Sequence, residues 1–162
     1  MEIVDIVLVG GGTLAGLCAG LLYAFSVAII PALHVLKGSE HIAAMQAINV
    51  KILNPVFFLS FFGPAILLPL AAILAWGRPQ FALLIVAALL YIVGVIGVTS
   101  AGNIPLNDKL AKLEAHQLPE AEADRARKEY QGQGAAWMRF HTIRTLAATL
   151  TTVLVFIACL FK

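Results

Sequence analysis

Four apolar stretches, near residues 6–30, 54–76, 80–102 and 141–161, constrain this chain more than anything else in it. A helix needs roughly 20 apolar residues to cross a bilayer, because the hydrocarbon layer is about 30 Å thick. Each stretch reaches that length. Inside the bilayer no water pairs with exposed backbone, so such stretches fold as helices that close their own hydrogen bonds. The expectation is an all-α membrane protein, one membrane domain over residues 1–162 built as a four-transmembrane-helix bundle. With 60% hydrophobic residues, 12% charged and a mean hydropathy of +0.91, the chain lies outside the range of ordinary water-soluble domains.

The basic residues divide unevenly between the two sides that four spans create. Lys37, Lys51, Lys109, Lys112, Arg125, Arg127, Lys128, Arg139 and Arg144 follow spans one and three, whereas only Arg78 and Lys162 fall on the other side. By the positive-inside rule, residues 31–53 and 103–140 are expected in the cytoplasm and both termini opposite. Glu2 and Asp5 at the start, where a signal peptide carries basic residues, favour a retained first span. A net charge of +2 gives no reason to expect nucleic acid; the expected partner is the lipid bilayer. Cys18 and Cys159 lie at depths about 20 Å apart, too far for a disulfide, and read as small core residues.

Within span one, Gly12, Gly16, Gly20, Ala24 and Ala28 recur every fourth residue. This small-residue stripe admits another backbone at close range. Its partner is a helix of the same bundle or, alternatively, a second copy in a homo-oligomer. Pro31 is expected to end that span. Ser39 then reads as the cap of an interfacial helix over 40–53, with Ile42, Met45, Ile48 and Ile52 on one face and Gln46 and Asn49 at its edge, solvated at the interface or, alternatively, facing inward over the bundle mouth. Asn54-Pro55 opens span two as cap and first helical residue, and Pro64 and Pro69 are expected to bend it. Trp76–Pro79 is a tight turn into span three. Residues 103–140 carry balanced charge, leucines at 106, 110 and 113 on one face, and Pro119 as a helix restart. They predict a helical cytoplasmic cap between spans three and four, with Asn107 capping its first helix.

No Asp, Glu, Lys, Arg or His falls in the centre of any span. Ion pumps and proton relays place ionisable groups there despite the cost, so active ion transport is disfavoured. Polar side chains gather instead at one depth. His34 follows span one, Asn103 and Asn107 surround Pro105 where span three is expected to stop, and Trp137, His141 and Arg144 open span four. His34 and His141 are candidate catalytic bases. Asn103, Asn107, Trp137 and Arg144 are candidate substrate-binding residues. No metal site is expected: His and Cys lack the spacing of metal motifs, and a haem or metal held by the two histidines is the lesser alternative.

Asn103-Ile104-Pro105-Leu106-Asn107-Asp108-Lys109-Leu110, followed by Trp137, His141, Arg144 and Thr145, resembles the anthrone oxygenase-like family of small four-span membrane proteins. The resemblance extends over the whole chain in length and span layout. At the position of His141 the family often carries asparagine. The resemblance implies, for some members, O2-dependent oxidation of an anthrone CH2 to the quinone without a cofactor. Such chemistry calls for a base, an oxyanion stabiliser and an apolar pocket for a polyaromatic or quinol-like small molecule. The alternative is a non-catalytic bundle that binds a lipid, a quinone or a protein partner. In that reading the asparagines cap helix ends and Arg144 ties spans three and four together.

Overall fold

The computed structural model describes residues 2–161, so Lys162, counted above among the charges, lies outside the described residues. Eight α-helices follow in order: α1 Ile3–Ala24, α2 Ile30–His34, α3 Gly38–Lys51, α4 Pro55–Leu74, α5 Phe81–Tyr91, α6 Ile104–Ala111, α7 Glu120–Gln131 and α8 Ala136–Ala158. Among the described residues there are no strands. Four helical stretches are long and apolar enough to cross a membrane. α1 packs on α4 and α8, and α5 packs on α4 and α8, so the four spans close into a ring of neighbours. Their inward faces make one core, with Leu8, Ala15, Leu68, Ala87, Tyr91 and Ala148 all buried. Their outward faces carry Leu59, Ile66, Val93 and Leu150, exposed apolar side chains of the kind a bilayer solvates.

Two of the expected helix stops are not stops. The first span runs through Pro31 to His34, and the third runs through Pro105 to Ala111. In each, a π-helical segment precedes the proline: Phe25–Ile29 before Pro31, and Thr99–Asn103 before Pro105. A proline ring collides with the carbonyl four residues earlier, here Val27 or Ala101, and removes one hydrogen bond. The wider π turn displaces that carbonyl, so the chain continues instead of ending. A third π segment, Ile92–Gly97, lies between them on span three. Asn107 accordingly falls inside α6 and is not its cap.

Span two handles its prolines differently. Asn54 caps α4 as expected, its Oδ1 accepting from the Phe57 amide at 3.0 Å, and α4 continues past both Pro64 and Pro69. Pro64 deprives the Ser60 carbonyl of its donor. The Tyr91 hydroxyl fills that gap, reaching Ser60 O at 3.3 Å and Phe61 O at 3.0 Å. Tyr91 therefore does more than pack.

The small-residue stripe is occupied within the chain: a Cβ added at Gly12 or Gly16 would meet Val155 or Thr152 of α8, while Gly20 faces open space. Both cysteines are free; Cys18 is buried as expected, whereas Cys159, at the end of α8, is exposed and is not a core residue.

The polar segments fold onto one end of the bundle. α3 lies against α6 and α7, and α7 against α8. Ile42 and Met45 of α3 join Leu110, Ala123, Tyr130 and Trp137 in a second core, with Leu106 and Leu113 packed at its margin. Ser39 is not the cap of α3, which begins after Lys37. Its hydroxyl donates to Glu120 at 2.8 Å and so ties α3 to the start of α7. A Cβ on Gly38 would overlap the Ala123–Asp124 backbone, so glycine sets how closely these two helices approach. Gln46 and Asn49 point inward. Gln46 Nε2 donates to the carbonyls of Leu110 and Leu113, closing the end of α6.

Candidate functional site

Where this second core meets the membrane bundle, the two expected clusters interlock. Asn107 is the junction. Its Oδ1 accepts from Tyr130 OH at 2.7 Å and from Trp137 Nε1 at 2.8 Å, and its Nδ2 donates to Asn49 Oδ1 at 3.3 Å. Indole N–H only donates, which settles the orientation of the amide. One side chain thus joins α3, α6, α7 and α8. Asn103 is fully buried and donates from Nδ2 to the Trp137 carbonyl at 3.1 Å, while its Oδ1 is without a partner. A third contact lets the helices come this close: Gly102 faces the Phe140 ring, and a Cβ there would overlap it.

The second group is built on α8. His141 and Trp137 lie one turn apart and stack, with ring centroids 5.0 Å apart and planes inclined by 17°. Arg144 lies over the Trp137 ring, its Cζ 5.5 Å from the centroid. Its Nε and Nη2 reach His141 Nδ1 at 3.3 and 3.2 Å, and Nη1 reaches Thr99 Oγ1 at 3.4 Å. On the far side of the imidazole, Nε2 contacts Ser26 Oγ at 2.9 Å, and the Ser26 hydroxyl donates to the Leu22 carbonyl at 3.1 Å. Ser26 and Thr99 belong to two of the π segments described above. The widened turns that accommodate the prolines are therefore also what present these hydroxyls.

Beside this group lies a cavity of about 160 Å³. Its walls are apolar, chiefly Leu21, Leu22, Phe25, Phe57, Phe58, Phe61, Phe62 and Ile104, and Arg144, Asn107, Asn49, Thr99, Trp137 and Cys18 contribute its polar atoms and its one thiol. Leu53, Phe58, Phe62 and Ile104 on its rim are exposed on the apolar outer surface, so the cavity communicates with the bilayer side. A wider hollow at the opposite end of the bundle, lined by Glu2, Asp5, Arg78 and Gln80, receives no side chain of the cluster.

Five of the six residues singled out in the sequence thus come together, and Asn107, Trp137 and Arg144 line the cavity. Asn103 and His141 stand behind that wall. His34 does not join them. It borders a separate cleft with Arg127, Lys128, Gly132 and Gln133, contacts the Gln131 carbonyl at 3.1 Å and stacks on His41 at 5.7 Å. The two candidate bases consequently occupy different sites. Sequence reading missed Ser26 and Thr99: Ser26 is a lone hydroxyl in an apolar span, and Thr99 stands beside Ser100 in the weakly polar stretch before Asn103. It also missed the phenylalanine pairs at 57–58 and 61–62, which face one wall because residues four apart share a helix face.

His41, outside the spans, carries a pH dependence of its own. Its Nδ1 contacts the Leu33 carbonyl at 3.0 Å and its Nε2 contacts the Gln131 side-chain amide at 2.8 Å. Burial holds its pKa below the ordinary histidine value, only partly offset by those two hydrogen bonds, with His34 and Arg127 adding like charge nearby. The folded state therefore favours neutral His41. Below about pH 6.5 the unfolded chain binds a proton that the folded chain resists, so stability present at neutral pH is lost as pH falls. The thermal midpoint is expected to be lower at pH 5 than at pH 7.5, and His41→Asn should narrow that difference.

Residues 57–154, more than half of the chain, match the family model described as anthrone oxygenase. The match contains the Asn103–Asn107 and Trp137–Arg144 clusters but not His34. No curated protein and no solved structure matches.

Proposed function

The chain belongs to the anthrone oxygenase family, and on that premise we propose that its cavity binds a flat, oxygen-bearing aromatic molecule taken from the bilayer and promotes its oxidation by O2. The observation that carries this reading is the Arg144 guanidinium on the wall of a cavity otherwise built from phenylalanine and aliphatic side chains. Aromatic walls favour a planar polycyclic occupant, and the exposed rim offers it a route from the membrane. We place the site at the cytoplasmic face, the side marked by nine of the eleven basic residues.

The chemistry suits such an occupant. An anthrone has a CH2 flanked by two aromatic rings and conjugated to a carbonyl, so loss of one proton gives a stabilised enolate. That enolate is itself the reductant. It transfers electrons to O2 at the former CH2 carbon, a C–O bond forms there, and loss of water leaves the second carbonyl. Overall, CH2 and O2 become C=O and H2O, with no haem or metal required. Arg144 would lower the barrier by holding the oxygen on which negative charge develops. Its neighbours fix its direction in advance, which is what makes such a group effective. No carboxylate lines the cavity, so in this reading the departing proton is taken by water or hydroxide and not by a side chain of the wall.

The test uses purified protein in lipid nanodiscs with anthrone in air, following quinone formation by absorbance. Faster formation than in empty nanodiscs is the expected result. A rate equal to the empty-nanodisc rate would sink the oxygenase reading and leave a binding bundle.

A further inference from the structure

The partners of Arg144 carry a second message. Each of them is neutral: the imidazole of His141, the hydroxyl of Thr99 and the π face of Trp137. Among the described residues, the ion pairs are Arg78 with Glu2 and Arg127 with Asp124, and Arg144 is in neither. A cation at the edge of an apolar cavity with no counter-ion is costly, because low dielectric magnifies its desolvation. The same low dielectric strengthens its attraction to any anion that enters.

The hydrogen-bond directions explain why the imidazole stays neutral here. Guanidinium N–H groups can only donate, so His141 Nδ1 must be the accepting nitrogen. The ring proton is then on Nε2, which donates to Ser26 Oγ, and Ser26 in turn donates to Leu22 O. Both imidazole nitrogens are committed, and His141 does not line the cavity. It therefore has no free lone pair to act as a base toward an occupant. What it does is hold two of the five guanidinium N–H groups. Thr99 takes a third, and the remaining two are left for a ligand.

We infer that Ser26, His141 and Thr99 form a neutral cradle that aims the Arg144 guanidinium into the cavity, and that the cavity selects aromatic ligands in their oxyanion form. His141 is a positioning residue in this arrangement. The inference rests on the proposed aromatic-binding function and narrows its ligand class to enolates, phenolates and aryl carboxylates.

Two probes of equal shape separate charge from fit: 2-naphthoate and 2-naphthamide, titrated calorimetrically into the full chain in neutral-lipid nanodiscs at pH 7.5. The wild-type protein should bind naphthoate about tenfold more tightly than naphthamide, the scale of one charge-assisted hydrogen bond. Arg144→Gln should abolish that preference while still binding naphthamide. His141→Asn keeps an acceptor for the guanidinium and should retain most of the preference, whereas His141→Leu keeps none and should lose it. Equal binding of both probes by the wild-type protein would overturn the oxyanion inference and leave the aromatic cavity standing. Failure of both to bind would overturn the aromatic-binding reading itself. Unchanged preference in His141→Leu would overturn the positioning role, and loss of the preference in a folded His141→Asn would do the same. Far-UV circular dichroism identifies any variant that fails to fold, and the Asn variant then decides.

Discussion

Replacing Arg144 by glutamine is expected to slow O2-dependent anthrone oxidation by about 10²–10³-fold, the usual loss when one preorganised oxyanion donor is removed. Glutamine keeps a polar amide of intermediate length but removes the charge and the fork. The effect should fall on turnover more than on apparent affinity, because the aromatic walls bind substrate and enolate alike while the cation favours only the enolate. Arg144→Lys should recover part of the rate. An ammonium restores the charge but cannot hold His141 and Thr99 while also facing a ligand in the plane that guanidinium provides. Quinone absorbance measures both variants. A Gln variant within a factor of a few of wild type would remove Arg144 from the mechanism. Stability should change little, since the bundle core does not depend on this side chain for its apolar packing.

Asn107→Ala is expected to act on stability instead. Its oxygen is the shared acceptor for Tyr130 OH and Trp137 Nε1, which belong to side chains only 7% and 2% exposed. Truncation strands two buried donors at about 1–3 kcal/mol each. A total of about 2–6 kcal/mol is a large share of the about 5–15 kcal/mol that usually separates folded from unfolded. The loss should be local first, with α3, α6 and α7 loosening from the end of the bundle before the spans separate. Limited proteolysis within 112–135, together with a lowered thermal midpoint, checks this. A double-mutant cycle with Tyr130→Phe should show coupling, because that background has already removed one of the stranded donors. Strict additivity would mean the hydrogen bond contributes little.

Much of the architecture was legible before any coordinates. The four apolar helices, a helix after residue 37, the helical segment after Pro119 and the Asn54-Pro55 start all follow from hydropathy, periodicity and capping chemistry, which are local properties. The errors were local rules overruled by context. Pro31 and Pro105 read as terminators, yet a π turn ahead of each absorbed the steric clash and carried the helix on. Ser39 read as a cap, but its hydroxyl found Glu120, a partner eighty-one residues away. Whether Gln46 and Asn49 face the interface or the bundle mouth stayed open in the sequence, because nothing local says that α6 will cover them.

For the candidate site, residue types and depth were readable, and direction was not. Chain order places His34, Asn103, Asn107, Trp137, His141 and Arg144 near one level of the bilayer, since each lies at the same end of its span. Depth is a one-dimensional quantity set by counting residues along a helix. Which of these side chains meet depends on the rotation of each helix about its axis, and that is set by how the apolar faces interlock. Rotation turned His34 toward the α7 end and brought Asn103 and Asn107 of the third span against Trp137 of α8. It also enlisted Ser26 and Thr99, because π turns shift the register of everything beyond them. The amino-acid sequence by itself therefore determined that this is a membrane bundle with its polar chemistry at one end. Only the tertiary packing decided that one cation, Arg144, is held by uncharged neighbours and faces a cavity walled by phenylalanines.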